Sequence, residues 1–187
     1  RSSTLAMAVP VCNRWFVTSG RRRLELKEPN KFRDAAGNVI FRIHAARMTL
    51  SGRIIVKDAH GGEIGHLRRE HRTACPFASR SRTTHYFGYK NGDDVGAVKA
   101  STTHPDKCEA DIYLGGIRIG GTWGSWFKKS FAIYLGGNQV AEILRGADTV
   151  EGGFGIEILA AGVDASLILM IVVALGEIYG WVDSFNG

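Results

Sequence analysis

The sequence predicts a mainly β protein: a closed antiparallel barrel of about twelve strands around one buried, hydrophobic C-terminal helix. Three observations carry that expectation. Glycine takes 24 of the 187 positions, which suits a chain of many tight turns better than a helical one. A strand–glycine turn–strand unit recurs along the chain. And Val163–Gly180, VDASLILMIVVALGEIYG, has no polar side chain from Ala165 to Leu175 except the Ser166 hydroxyl, so the rest of the chain has to hide it.

The recurring unit is clearest in FRDAAGNVIFRI (Phe32–Ile43) and VKDAHGGEIGHL (Val56–Leu67). Asp34, Ala35 and Gly37 of the first match Asp58, Ala59 and Gly61 of the second, each 24 residues on. In both, the Asp carboxylate is placed to accept hydrogen bonds from the turn backbone, and glycine tolerates the positive φ of a bulged hairpin. After the first turn Val39, Phe41 and Ile43 alternate with Ile40, Arg42 and His44, the two-residue period of a half-buried strand. YKNGDDVGAVKA (Tyr89–Ala100) and IYLGGNQVAEIL (Ile133–Leu144) repeat the design with NGD and GGN turns. Irregular spacing makes this a meander rather than a solenoid. In order, strands are expected near Val11–Thr18, Arg23–Lys27, Val39–His44, Ile54–Lys57, Glu63–Arg68, His85–Tyr89, Asp94–Ala100, Glu109–Leu114, Gly116–Trp123, Trp126–Leu135, Gln139–Arg145 and Phe154–Leu159.

The last element is a helix, with Asp164 as N-cap and Gly180 as stop. Over Ala165–Tyr179 it would measure roughly 22 Å, short of the roughly 30 Å of a bilayer's hydrocarbon core. Gly176-Glu177 ends its apolar part, and no Lys or Arg follows to anchor it at a membrane surface. A segment apolar all round but too short to span belongs inside protein. A dozen strands closed around it would supply that enclosure.

Composition sets the frame. With 44% hydrophobic and 22% charged residues, and no low-complexity linker, one domain is expected over residues 11–180, with tails at 1–10 and 181–187. The net charge of +6 is unevenly distributed: residues 1–130 hold 23 Lys and Arg against 11 Asp and Glu, and residues 131–187 one against seven. Cys12, Cys75 and Cys108 form no CxxC pair and cannot all be bridged, which argues for a reducing compartment or for inert buried thiols. Leu5–Cys12 is too short and too broken by Pro10 for a typical signal segment.

Set in order, FRDAAGNVIFRI, IIVKDAHGGEIGHLRRE and GVDASLILMIVVALGEIYG resemble the LURP-one-related family, over about Val11 to Tyr179. Gly162-Val163-Asp164-Ala165, opening the helix, is the most specific piece. That family belongs with tubby C-terminal domains and phospholipid scramblases. The resemblance implies a closed twelve-stranded barrel threaded by a hydrophobic C-terminal helix, in agreement with the reading above. It also implies a binding role, since tubby proteins hold phosphoinositide headgroups in a basic pocket. None of that pocket's residues maps onto this chain. The cysteine-rich palmitoylation cluster and acidic calcium segment of scramblase-like members are not recognisable here.

No catalytic or cofactor motif stands out. GTWGSW (Gly121–Trp126) lacks the helix a nucleophile elbow needs, and GGFGIE (Gly152–Glu157) lacks the third glycine of a dinucleotide fingerprint. The six histidines show no metal-ligand spacing, and Cys75 has no His or Asp partner placed to activate it. The expectation is a non-enzyme, likewise without cofactor or metal.

Charge offers the one candidate site. Arg68, Arg69, Arg72, Arg80 and Arg82 fall within fifteen residues, Arg21, Arg22 and Arg23 form a second cluster, and Lys128 and Lys129 a third. Guanidinium groups pair bidentately with phosphate oxygens, although charge runs also mark plain solvated loop tips. The resulting expectation is a monomeric, cytoplasmic binding or scaffold domain, peripheral at a membrane, with anionic phospholipid headgroups as partner. Lipid scrambling is the first alternative. A DNA- or protein-binding regulatory module is the second, without a visible base-reading element.

Overall fold

The computed structural model describes residues 16–28, 30–45, 53–69, 84–89, 92–100, 107, 109–125, 130–144 and 154–179. Twelve strands and one helix occupy them: β1 (Arg22–Glu28), β2 (Lys31–Asp34), β3 (Val39–Ala45), β4 (Ile54–Asp58), β5 (Glu63–Arg69), β6 (Thr84–Tyr89), β7 (Asp94–Ala100), β8 (Ala110–Leu114), β9 (Ile117–Ser125), β10 (Ser130–Leu135), β11 (Asn138–Leu144), β12 (Gly155–Ile158) and α1 (Ala165–Tyr179). Each strand pairs antiparallel with its sequence neighbours, and β1 pairs with β12, Arg22 opposite Ile158, to close the barrel. Closure leaves no edge strand among the described residues to recruit another chain.

The two Asp-Ala-x-Gly turns form as their chemistry requires. Asp34 accepts the backbone N–H of Asn38 at 2.8 Å, and Asp58 those of His60 at 2.9 Å and Gly62 at 2.8 Å. Gly37 and Gly61 sit at φ of 86° and 87°. Hydrogen bonds from the Asn38 side chain and backbone hold the Asp34 carboxyl below its ordinary range.

Inside the barrel lies α1. From Ala165 to Leu175 no residue is more than 1% exposed, so Leu167, Ile168, Leu169, Ile171, Val172 and Leu175 are as solvent-free as their apolarity demands. Strand side chains such as Phe32, Phe41, Phe87, Ile112 and Ile133, all 0% exposed, fill the space around it. The helix lies closest to β5, β6 and β7. A Cβ on Gly65 of β5 would stand 2.8 Å from the Met170 sulfur, so glycine permits that approach.

The helix start is fastened from two sides. Buried Asp164 accepts the backbone N–H of Ser166 at 2.8 Å and its hydroxyl at 2.5 Å, capping the first turn. Thr18 donates its N–H to the Val163 carbonyl at 2.9 Å and its hydroxyl to that of Ala160 at 2.8 Å, while Gly162 N–H donates to the Thr18 carbonyl at 2.7 Å. This corrects the expected strand at Val11–Thr18. Phe16 lies in a short 3₁₀ segment, Val17 makes one isolated bridge to Asp164, and residues 11–15 lie outside the described residues. Phe16 packs its ring 4.8 Å from that of Phe41. The strand that completes the twelve is β2, which lies within the first hairpin but was missing from the expected strand order.

Strict up-and-down order gives the barrel two unlike ends. At the first, which we term the turn end, five short connections of two to four residues join β2 to β3, β4 to β5, β6 to β7, β8 to β9 and β10 to β11. The helix also begins there. At the other, the loop end, the strand ends are joined by segments 46–53, 70–83, 101–109, 126–129 and 145–154, besides the two-residue link at 29–30. The helix finishes at this end, where the Tyr179 hydroxyl donates to the Glu109 carbonyl at 3.1 Å.

Candidate functional site

The cationic residues divide between these ends. Arg69 closes β5 at the loop end, where segment 70–83 begins. Arg72, Arg80 and Arg82 lie in that segment, and Lys128 and Lys129 in 126–129; all five are outside the described residues. Both segments join strand ends on the loop rim, separated by β6 to β9, a third of the barrel's twelve strands. Arg21, Arg22 and Arg23 belong elsewhere. Arg22 starts β1 at the turn end and bears electrostatically on Asp34 of the first hairpin. Arg21 lies 3.9 Å from Glu157, and Arg23 pairs with Glu25 at 2.8 Å. Among the described residues, Arg21–Arg23 therefore do not share an end with Arg69.

Arg68 and Arg69 have different surroundings although adjacent, because neighbouring strand residues face opposite sides. Arg68 is on the outer wall, paired with Asp94, its guanidinium 5.2 Å from the centre of the Tyr86 ring. Asp94 also faces His66 Nε2 at 3.5 Å. Arg69 shares the inward register of Leu67 at the rim, opposite His85 of β6. His85 is 2% exposed and neither ring nitrogen has a hydrogen-bond partner among the described residues. Burial, and secondarily the positive charge of Arg69, lowers its pKa from 6.5 to about 4. Burial raises the pKa of Glu177 near the end of α1, while Arg69 pulls it the other way. An exposed Arg69 thus lies within electrostatic reach of a buried His85 and a half-buried Glu177 where the helix leaves the barrel.

A second feature, on the outer wall of β9 and β10, was not anticipated. Arg118, Gly121, Thr122, Trp123 and Tyr134 line an open cavity of about 440 Å³. Trp123 is 66% exposed. Gly121 stands opposite Tyr134, its missing side chain leaving the floor clear, and Arg118 Nε donates to Asp111 at 2.6 Å. The signal was present in IRIGGTWGS: once Thr122 faces inward, Trp123 must face solvent. Among the described residues, no three His, Cys, Asp or Glu side chains group to hold a metal ion. No described helix is long and apolar enough to cross a membrane.

A closed twelve-strand barrel wrapped around one apolar helix, its interior filled, defines a helix-threaded barrel of the tubby-like type. The chain belongs to the LURP-one-related family, whose model matches residues 19–176. Its fold is similar to the X-ray structure of a protein from Arabidopsis thaliana, with a TM-score of 0.66 and 19% identity over 90% of this chain and 98% of that one. At that identity the likeness concerns the fold. No curated protein matches the sequence.

Proposed function

We propose that this chain is a non-enzymatic binding domain that docks on anionic phospholipid headgroups, on the cytoplasmic side of a membrane, with the loop end of its barrel. The observation that carries the reading is the shared end. The segment with Arg72, Arg80 and Arg82 and the segment with Lys128 and Lys129 join strands on one rim, while α1 fills the interior and leaves ligands to the outside. Each Lys or Arg near an anionic leaflet contributes about 1 kcal/mol, so a few together give weak, salt-sensitive docking. Arg68 contributes little to that contact because Asp94 already engages it. Sequestration of α1 speaks against scrambling, since a membrane-inserting helix would have to leave an enclosure in which it is solvent-free.

The test is sedimentation with vesicles of phosphatidylcholine containing phosphatidylserine or a phosphoinositide. A variant with Arg72, Arg80, Arg82, Lys128 and Lys129 all changed to Glu should lose sedimentation and keep its melting temperature. Unaltered sedimentation would overturn the proposal. So would steeply salt-dependent binding to oligonucleotides with none to vesicles.

A further inference from the structure

We infer that the outer wall of β9 to β11 beside the loop rim, carrying Trp123 and Leu144, is the part of the barrel that enters the headgroup layer of a lipid bilayer. The inference rests on the lipid-docking reading above and gives that contact a side of the barrel and an apolar component.

Trp123 and Leu144 are 66% and 40% exposed, both on the outer face. Across the sheet, Trp123 stands opposite Ala132 and Ala132 opposite Glu142, two residues before Leu144. The rim itself reads Ser125, Ser130, Leu144 across these strands. Leu144 is thus at the rim, and Trp123 stands two residues, or about 7 Å, back from it. That is within the roughly 5–10 Å to which interfacial apolar groups sink into the headgroup boundary.

The chemistry of the wall fits that layer. Trp places an apolar ring and a polar tip at the water–lipid boundary, and an exposed Leu beside it adds apolar area. Asp111 already holds Arg118, so the cavity beside Trp123 is not a bare anion site; its exposed character is aromatic. Ile117, also 66% exposed, starts β9 at the turn end and serves as an internal control.

The experiment compares Trp123→Ala, Leu144→Ser and Ile117→Ala with the parent chain by sedimentation with phosphatidylcholine–phosphatidylserine vesicles, each variant first shown to keep its melting temperature. Trp123→Ala should weaken partitioning about tenfold and Leu144→Ser by less. Ile117→Ala should stay within about twofold, having no lipid to leave. If the parent binds and Trp123→Ala binds equally well, this inference fails while the docking reading stands. If the parent does not bind, both fail. Equal losses for Ile117→Ala and Trp123→Ala would also overturn it. Sedimentation equilibrium without vesicles addresses a second copy of the chain: a dimer abolished by Trp123→Ala would assign the wall to self-association instead.

Discussion

The turn end and the loop end are made by the same twelve strands and differ in almost everything else. Turn-end connections are two to four residues long, hydrogen-bonded through Asp34 and Asp58, and bent at glycines with positive φ. The helix enters there under a buried Asp cap stitched to Thr18. The loop end carries, besides two short links, connections of eight to fourteen residues, the exposed Arg69, and the buried His85, which has no hydrogen-bond partner among the described residues. Local chemistry closes one end; the other is joined mostly by longer segments. Surface loops tolerate insertion at small entropic cost, so an up-and-down barrel can keep a stable scaffold at one rim and a site at the other.

The comparison can be broken from its shared centre. Leu169→Asp puts a carboxylate where the side chain is 0% exposed. Several kcal/mol against a total of roughly 5–15 should unfold both ends together. A soluble variant with the parent's melting curve would show that α1 does not hold the barrel.

Acid should then separate the two ends. His85 has a folded pKa of about 4 against 6.5 when unfolded. Between those values the unfolded chain binds a proton that the folded one refuses. Its share of stability is complete above pH 6.5 and is lost as pH falls toward 4, by about 3 kcal/mol. Glu177, with its pKa raised by burial, acts in the opposite sense and offsets part of this. His85→Leu should flatten the acid slope of denaturant midpoints and leave neutral stability equal or higher, because no hydrogen bond is lost. An undiminished slope would move the acid sensitivity elsewhere.

The smallest effect belongs to the turn end. Gly61→Ala meets open space but must hold φ at 87°, costing about 1–2 kcal/mol with no dependence on pH. A neutral outcome by urea titration would mean that the turn relaxes without strain.

Much of this architecture was legible because it is local chemistry: a carboxylate before a glycine makes its turn wherever it falls, and an eleven-residue apolar run needs an enclosure. The distribution of charge was not, because it depends on strand parity. Counting a strand at Val11–Thr18 while omitting Lys31–Asp34 still gives twelve, but it puts Arg21–Arg23 after the first strand, on the rim of the loops after the fifth and ninth. With Arg22 opening β1, the cluster moves to the opposite end. β2 escaped detection because KFRD has one apolar residue in four and follows Pro29-Asn30. Of Val11–Thr18, the described part is no strand: Phe16 packs on Phe41 and Val17 makes a single bridge to Asp164. Neither error changes the total; together they relocate a candidate site.

The closing pair, β1 with β12, has a consequence for synthesis. The other pairings join neighbours in sequence, while Arg22 and Ile158 are more than 130 residues apart. During translation the meander can form hairpin by hairpin. Its apolar face has neither a helix to cover it nor a twelfth strand to seal it until residues 154–179 leave the ribosome. A nascent chain stalled before Gly155 is therefore expected to be cut readily by protease and to bind chaperones. Release of the last segment should bring protection in a single step, and gradual protection with chain length would show that the growing sheet is stable before its helix arrives.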